Sequence, residues 1–208
     1  MSETRTVTAV EIQVKRRNRF SIFLDGEFAF GVHRDVLLQA GIAKGEKLTE
    51  KRIRSILDLE NRKQAESKAL SLLAYRARSI KEIKDRLKQK GYSEKVIDGV
   101  LHELKRLGLV DDTEFAILFA RSRIKNKPMG RLMLEHEMKQ KGLLTDDIDK
   151  GIEAAYEGTD ERQLALELAR KKIPQAALNS KNRVSDLLRR RGFSWDVISD
   201  VLHNWEQL

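Results

Sequence analysis

The chain has 208 residues, which fits one or two domains or an array of small units. Hydrophobic residues make up 40% and charged residues 35% of it, so the chain can bury a core and does not have the composition of a disordered protein. The formal net charge of +9 is typical of a protein that approaches a polyanion, and the absence of cysteine excludes disulfides, thiolate nucleophiles and cysteine-ligated zinc.

Nothing in the sequence resembles a membrane-spanning or signal segment. The longest purely apolar run, residues 115–120, has six residues, whereas about 18 are needed to span a bilayer. The amino terminus leads into alternating residues rather than an apolar signal core. We therefore expect a soluble, cytoplasmic protein with no membrane partner.

Residues 6–30 have the two-residue period of β-strands. Val10 and Ile12 alternate with polar residues, and the Asp25-Gly26 pair is a strong hairpin signal. The pattern predicts a small antiparallel hairpin or three-stranded sheet. A short helix over 35–40, ended by Gly41, and a helix that begins near Thr49 should follow it. Whether the second helix continues through Glu60 stays open at this point.

From about residue 62 the sequence repeats three times. Gly91, Gly142 and Gly192 each follow a basic segment at the end of a predicted helix, and each is followed six residues later by isoleucine. Three copies at one spacing predict a mainly α-helical array of tandem three-helix repeats. We place an N-terminal extension with linker helices at 1–61, and the repeats at 62–110, 111–158 and 159–208.

Each repeat contains the same local signals. The repeated glycine supplies the left-handed residue that ends the second helix. Ser93 and Ser194 are placed to cap the third helix of their repeats, whereas the second repeat has Leu144 there. Pro128 and Pro174 fall between the first and second helices. Because one such unit buries little surface alone, we expect the repeats to stack into an elongated array.

Basic residues gather near the corner between the first and second helices of every repeat. The second and third of these clusters contain almost no acidic residue, which favours a binding face over an ordinary solvated surface. For the first cluster the two interpretations are equally good. The cations predicted to contact a partner or nucleoprotein are Arg76, Arg78, Lys84, Arg121, Arg123, Lys125, Lys127, Arg131, Lys171, Lys172, Arg183 and Arg190.

The aromatic residues divide between core and surface. Phe115 and Phe119 are four residues apart on one helix face and are predicted to lie in the core. Trp195 follows the capping Ser194, at a position that should be exposed. It is therefore a candidate partner contact, the alternative being that it packs on the chain terminus.

The sequence contains no recognisable catalytic constellation. The four histidines lack His-Glu-x-x-His spacing, and no glycine-rich loop precedes a Lys-Ser or Lys-Thr pair. Asp111 and Asp112 could bind a metal, but Asp111 with Glu114 three residues later is better explained as a helix cap. We expect no enzymatic activity, no cofactor and no metal.

The residues also resemble a known family. The segment from Ala69 to Arg76, followed by Arg78-Ser79, Lys90-Gly91-Tyr92 and 108–112, is similar to the RecX family of bacterial regulatory proteins. So are Asp111-Asp112-x-x-Phe115-Ala116-x-x-Phe119 and the later Lys141-Gly142. The segment around Leu24-Asp25-Gly26 looks like the extension of longer members, so the resemblance covers essentially the whole chain.

This resemblance implies a negative modulator of the RecA recombinase. Members of the family bind RecA and its filament on single-stranded DNA, limit filament assembly, and so inhibit strand exchange, ATP hydrolysis and co-protease activity. The chain would then act in the regulation of DNA repair, recombination and the SOS response. We expect a monomer that binds the RecA nucleoprotein filament, with weak direct DNA binding.

Two other functions agree with the same composition. The chain could act mainly by binding single- or double-stranded DNA directly, since a charge of +9 serves DNA as well as a nucleoprotein filament. It could also be an inert helical scaffold. Which face docks on a filament, and whether docking caps the filament, disassembles it or follows its groove, is not decided by the sequence.

Overall fold

The computed structural model describes residues 4–14, 16–174 and 180–205, and these form four β-strands and ten helices. The strands are β1 (Thr4–Gln13), β2 (Arg16–Leu24), β3 (Glu27–His33) and β4 (Lys47–Thr49). The helices are α1 (Arg34–Ala40), α2 (Glu50–Tyr75), α3 (Ile80–Lys88), α4 (Glu94–Arg106), α5 (Asp112–Asn126), α6 (Arg131–Gln140), α7 (Thr145–Tyr156), α8 (Glu161–Lys172), α9 (Ser180–Arg190) and α10 (Trp195–Trp205). None of the described helices is both long and apolar enough to span a membrane.

The predicted antiparallel sheet is confirmed and gains a fourth strand. The strand order is β3-β2-β1-β4, and the β2–β3 hairpin turns at Asp25 and Gly26, which both have positive φ. Such a turn is the reason for the Asp-Gly signal. Strand β4 pairs with the first residues of β1, with Thr4 opposite Thr49. With three residues, β4 is too short to show a two-residue period in the sequence.

Helix α2 continues without a break through Glu60 and is held to the sheet by that residue. The Glu60 side chain is buried and accepts hydrogen bonds from the His33 backbone N–H at 2.6 Å and from Gln64 at 2.7 Å. Arg19 of β2 forms an ion pair with it at 2.8 Å. Glu60 is thus a paired buried charge, which explains how an acidic residue can occupy the inner face of α2.

The chain divides into two compact units. The first comprises the residues up to Arg76 together with Lys84–Leu104, and the second comprises Ala77–Ile83 together with the residues from Lys105 onward. The core of the sheet and of the helices α1 and α2 lies in the first unit and includes Val7, Ile22 and Ile56.

In the second unit, the second and third repeats each have a core of their own. Helices α5–α7 enclose a cluster that includes Phe115 and Leu134, and α8–α10 enclose one that includes Leu188 and Ile198. Leu164 of α8 packs against the cluster of the second repeat. The predicted core position of Phe115 is therefore confirmed, and its ring stacks on that of Phe119.

Polar contacts and backbone hydrogen bonds join consecutive repeats at corresponding positions. Where the first repeat meets the second, the Ser79 hydroxyl at the start of α3 donates to the carbonyl of Lys141 at 2.7 Å. The next backbone N–H, that of Ile80, donates to the side chain of Asp112 at 2.9 Å. The first N–H groups of a helix have no partner within it, so the second repeat satisfies a donor that α3 cannot satisfy alone.

The junction between the second and third repeats reproduces this arrangement 51 residues later. Gly130 corresponds to Ser79, and its N–H donates to the carbonyl of Arg191 at 2.8 Å. The N–H of the next residue, Arg131, donates to the side chain of Glu161 at 3.0 Å. In both junctions the side chain that accepts the second hydrogen bond, Asp112 or Glu161, belongs to the first residue of the next repeat's first helix. The two junctions therefore have the same contacts.

The absence of side chains at Gly130 and Gly192 permits this close approach. A Cβ atom on Gly130 would collide with the carbonyl oxygen of Gly192, and one on Gly192 would collide with the backbone of Met133. Gly192 has a φ of 73°, and Gly91, at the same position of the first repeat, has a φ of 84° but open space around it. The left-handed backbone favours glycine at both positions. Of these two residues, only Gly192 also lacks the space for a side chain.

These two glycines therefore make a matched test of the junction. We expect Gly91→Ala to lower the free energy of unfolding by about 1–2 kcal/mol, the cost of a left-handed alanine. Gly192→Ala should add a further loss of about 1–3 kcal/mol from overpacking. Denaturant unfolding of both variants measures the difference. Equal losses would contradict the close contact between the second and third repeats.

Candidate partner-binding site

The predicted cations separate into residues that form ion pairs within the fold and residues that do not. Lys84 of α3 lies 3.1 Å from Glu94 and 3.2 Å from Asp98, both on α4. A hydrogen bond to Glu94 and, as the next largest cause, one to Asp98 raise the pKa of the Lys84 ammonium above its usual value. Its charge is thus already offset by two carboxylates.

Arg121 and Arg123 of α5 are also paired. Arg121 lies 3.2 Å from Glu157, and Arg123 lies 2.6 Å from Glu137. The Arg123 guanidinium also lies 5.4 Å from the centre of the Phe119 ring. These contacts connect the three helices of the second repeat, so both arginines have a structural role in addition to any contact with a partner.

Arg131 belongs to the junction between repeats. Its guanidinium forms an ion pair with Glu161 at 3.1 Å and lies 4.3 Å from the centre of the Tyr156 ring. The Tyr156 hydroxyl donates to the carbonyl of Met129 at 2.6 Å, and burial raises the pKa of this phenol well above its usual range. Tyr156 therefore stays protonated and keeps donating at any physiological pH.

Arg78 aside, the other predicted cations of the second unit are exposed, and within the described part of the chain they form no ion pair. No ion pair within the described residues uses these charges, so they remain available to a partner. These residues are Lys125, Lys127, Lys171, Lys172, Arg183 and Arg190.

Three of these lysines lie around one groove, which we call the Pro128 groove. It has a volume of about 350 Å³ and lies between the corner that follows α5 and helix α8. Lys127 lies at the corner, and Lys171 and Lys172 lie in the last turn of α8. Arg191 is a fourth cation of the groove, and it donates to the carbonyl of Pro128 at 3.2 Å.

Part of the lining of the Pro128 groove is apolar. Pro128, Leu164 and Leu168 line it, and Leu168 is only 7% exposed. Asn126 and Glu167 complete the lining. The groove therefore combines an apolar floor, three lysines without ion pairs, an arginine bonded to its wall and one carboxylate.

The sequence builds this groove from two helix ends. Helix α5 ends at Asn126, before Pro128 can interrupt it, and this places Lys127 in a corner. On α8, positions 164, 168 and 171 follow one helix face, so Lys171 lies directly beyond the leucines. Arg191 was not among the predicted contacts; the available signal was its place in the turn before Gly192, next to the predicted Arg190.

The other predicted residues lie outside the groove. Arg76 is exposed at the end of α2 and belongs, with Lys84, to the first unit, whereas Arg78 is half-buried in the second. Lys125, Arg183 and Arg190 do not line the groove either. The predicted exposure of Trp195 is confirmed, since 68% of it is accessible.

The acidic pair that could have held a metal acts in helix capping and docking. The Asp111 side chain accepts the N–H groups of Thr113 at 2.7 Å and Glu114 at 3.1 Å, as the cap interpretation predicts. Asp112 accepts from Ile80, and burial raises the pKa of its carboxyl group. The described residues contain no group of three or more histidines or carboxylates arranged to hold a metal.

Comparison with known proteins agrees with this architecture. The model of the regulatory protein RecX N-terminal domain matches residues 5–49. Models of the first, second and third RecX three-helix domains match residues 65–104, 111–152 and 160–202.

Whole-chain relatives lead to the same family. Regulatory protein RecX of Bacillus licheniformis is 34% identical, over 94% of this chain and 76% of the relative. That of Clostridium acetobutylicum is 29% identical, over 96% of both chains. A crystal structure of regulatory protein RecX superposes with a TM-score of 0.73 at 28% identity, over 95% of this chain and 98% of the other. With the four domain models matching in order, the chain belongs to the RecX family of regulatory proteins.

Proposed function

We propose that this protein is a negative modulator of the RecA recombinase. It binds RecA and the RecA filament on single-stranded DNA, limits filament assembly, and thereby lowers strand exchange, ATP hydrolysis and co-protease activity. It does so as a cytoplasmic monomer without catalysis of its own, in the regulation of DNA repair, recombination and the SOS response.

The observation that carries this proposal is the convergence of unpaired lysines in a chain of the RecX family. Lys127, Lys171 and Lys172 come from two different repeats and meet at one groove. The proposal assigns these residues to the partner surface because their charge is not used within the fold. Several contacts made by one folded unit add to affinity without a separate association cost for each.

A second candidate function is regulation by direct DNA binding. The exposed cations outside the groove, Lys125, Arg183 and Arg190, favour it, because DNA phosphates attract them equally well. The two functions differ in salt dependence. A DNA binder with six to ten phosphate contacts loses about 10³–10⁵ in affinity between 50 and 200 mM salt. A recombinase binder should retain RecA after nuclease treatment.

The most direct prediction concerns RecA-dependent ATP hydrolysis on single-stranded DNA. We expect this protein to inhibit hydrolysis when it is present at well below one molecule per RecA, because an effect on assembly acts on many subunits at once. A coupled ATPase assay over a range of protein concentrations measures it. Absence of inhibition at equimolar protein would contradict the proposed modulation of RecA.

Charge reversal tests the assignment of the groove. We expect the double variant Lys127→Glu with Lys172→Glu to weaken binding to the RecA filament by at least about 10-fold, since it replaces two unpaired cations with anions. The control, Lys95→Glu with Lys150→Glu, changes the net charge equally at exposed sites elsewhere. Fluorescence anisotropy with labelled filament compares them. Equal weakening would assign the effect to net charge and not to the groove.

Trp195 provides a separate test. Because its side chain is largely exposed, Trp195→Glu should leave the thermal midpoint unchanged. If Trp195 contacts the partner, the same variant should weaken filament binding by several-fold, since buried tryptophans are frequent interface anchors. Differential scanning calorimetry and the anisotropy assay measure the two effects. A lowered midpoint would instead give Trp195 a packing role.

A further inference from the structure

The Pro128 groove has two kinds of surface, and a phosphate backbone would use only one of them. Lys127, Lys171 and Lys172 attract any anion, whereas Leu164 and Leu168 attract only apolar groups. Leu164 and Leu168 lie four residues apart on α8, so their side chains form one continuous strip of floor. A ligand that fills the groove must therefore carry negative charge and an apolar group close together.

Nucleic acid meets this requirement poorly here. Binding of unpaired bases ordinarily relies on aromatic side chains on which the bases stack. No aromatic residue is among the described residues that line the groove, and an aliphatic floor offers a base no such platform. The floor would then stay uncovered while phosphates contact the lysines.

A polypeptide with acidic and apolar residues meets both requirements. We propose that the Pro128 groove binds a short acidic segment of a protein partner, which lays one large apolar side chain on Leu164 and Leu168 and pairs carboxylates with Lys127, Lys171 and Lys172. This inference rests on the proposed function, because it assigns the groove to the protein component of the filament and not to its DNA.

Glu167 restricts which acidic segments fit. It lies one residue before Leu168 and also lines the groove, so a carboxylate placed beside it would be repelled. The segment should therefore carry a neutral or basic residue at that point. Removing the Glu167 charge should therefore tighten the binding of an acidic segment, so the test includes a variant that is expected to gain affinity.

The test is a titration of the full-length, isotope-labelled protein observed by NMR, which detects binding even at millimolar dissociation constants. The probe is a synthetic 12-residue peptide rich in Asp and Glu with one central Leu. Matched probes are the same peptide with Ser in place of that Leu, and oligo-dT of 20 nucleotides. We expect the Leu peptide to shift the amide signals of Lys127, Leu164, Leu168 and Lys171.

The dissociation constants of the peptides should then distinguish the contribution of the lysines from that of the leucine floor. Replacing the peptide's Leu with Ser should weaken binding by about 5-fold or more, because the floor loses its apolar contact. Lys171→Glu should weaken it by about 10-fold, Lys150→Glu by less than about 2-fold, and Glu167→Gln should tighten it by about 2–5-fold.

Three results with the peptide would overturn the inference. They are the absence of localised shifts at millimolar peptide, equal binding of the Leu and Ser peptides, and equal effects of Lys171→Glu and Lys150→Glu. Localised shifts at these residues with oligo-dT alone would assign the groove to DNA and also overturn it. Inhibition of RecA-dependent ATP hydrolysis, measured on the same samples, separates the two proposals: its persistence without peptide binding removes only this inference, and its absence removes the proposed function.

Discussion

The structure of the second unit depends on the contact between the start of one helix and the next repeat. The first amide groups of α3 and α6 cannot be satisfied within their own helices, and Asp112 and Glu161 accept them from the following repeat. Hydrogen bonds are directional, so each of these bonds aligns the start of its helix with the first helix of the next repeat. The second and third repeats each have an apolar core of their own, Leu164 of α8 packs against the core of the second repeat, and these directional bonds add to that packing.

The same contact determines which cations are available to a partner. Arg131 is used in the junction through Glu161, and Arg121 and Arg123 hold the helices of the second repeat together. The lysines that remain available lie where the third repeat packs on the second. There the last turn of α8 lies next to the corner after α5, and the two form the Pro128 groove. A basic cluster in the sequence thus divides into structural and surface charges only when the repeats are assembled.

Much of the fold could be predicted from the sequence, because its signals are local. Periodic apolar positions, Asp25-Gly26 and the repeated glycines predicted the sheet, the helices and the repeat count, and the structure confirms them. Strand β4 and the junction bonds could not be predicted, since they join residues distant in sequence. For the same reason the sequence did not show that Lys84 is paired, that Arg191 lines the groove, or that an apolar floor lies beneath the lysines.

Amide hydrogen exchange in the native protein tests the junction most directly. The N–H groups of Ile80 and Arg131 should exchange at least about 100-fold more slowly than those of Thr145 and Asp146, because the former have acceptors in the next repeat. Helix α7 starts without a side-chain cap, so its first amides report the rate of an uncapped helix start in the same unit. Exchange of Ile80 and Arg131 at the rate of Thr145 and Asp146 would show that the repeats are not held by this contact and would contradict the account.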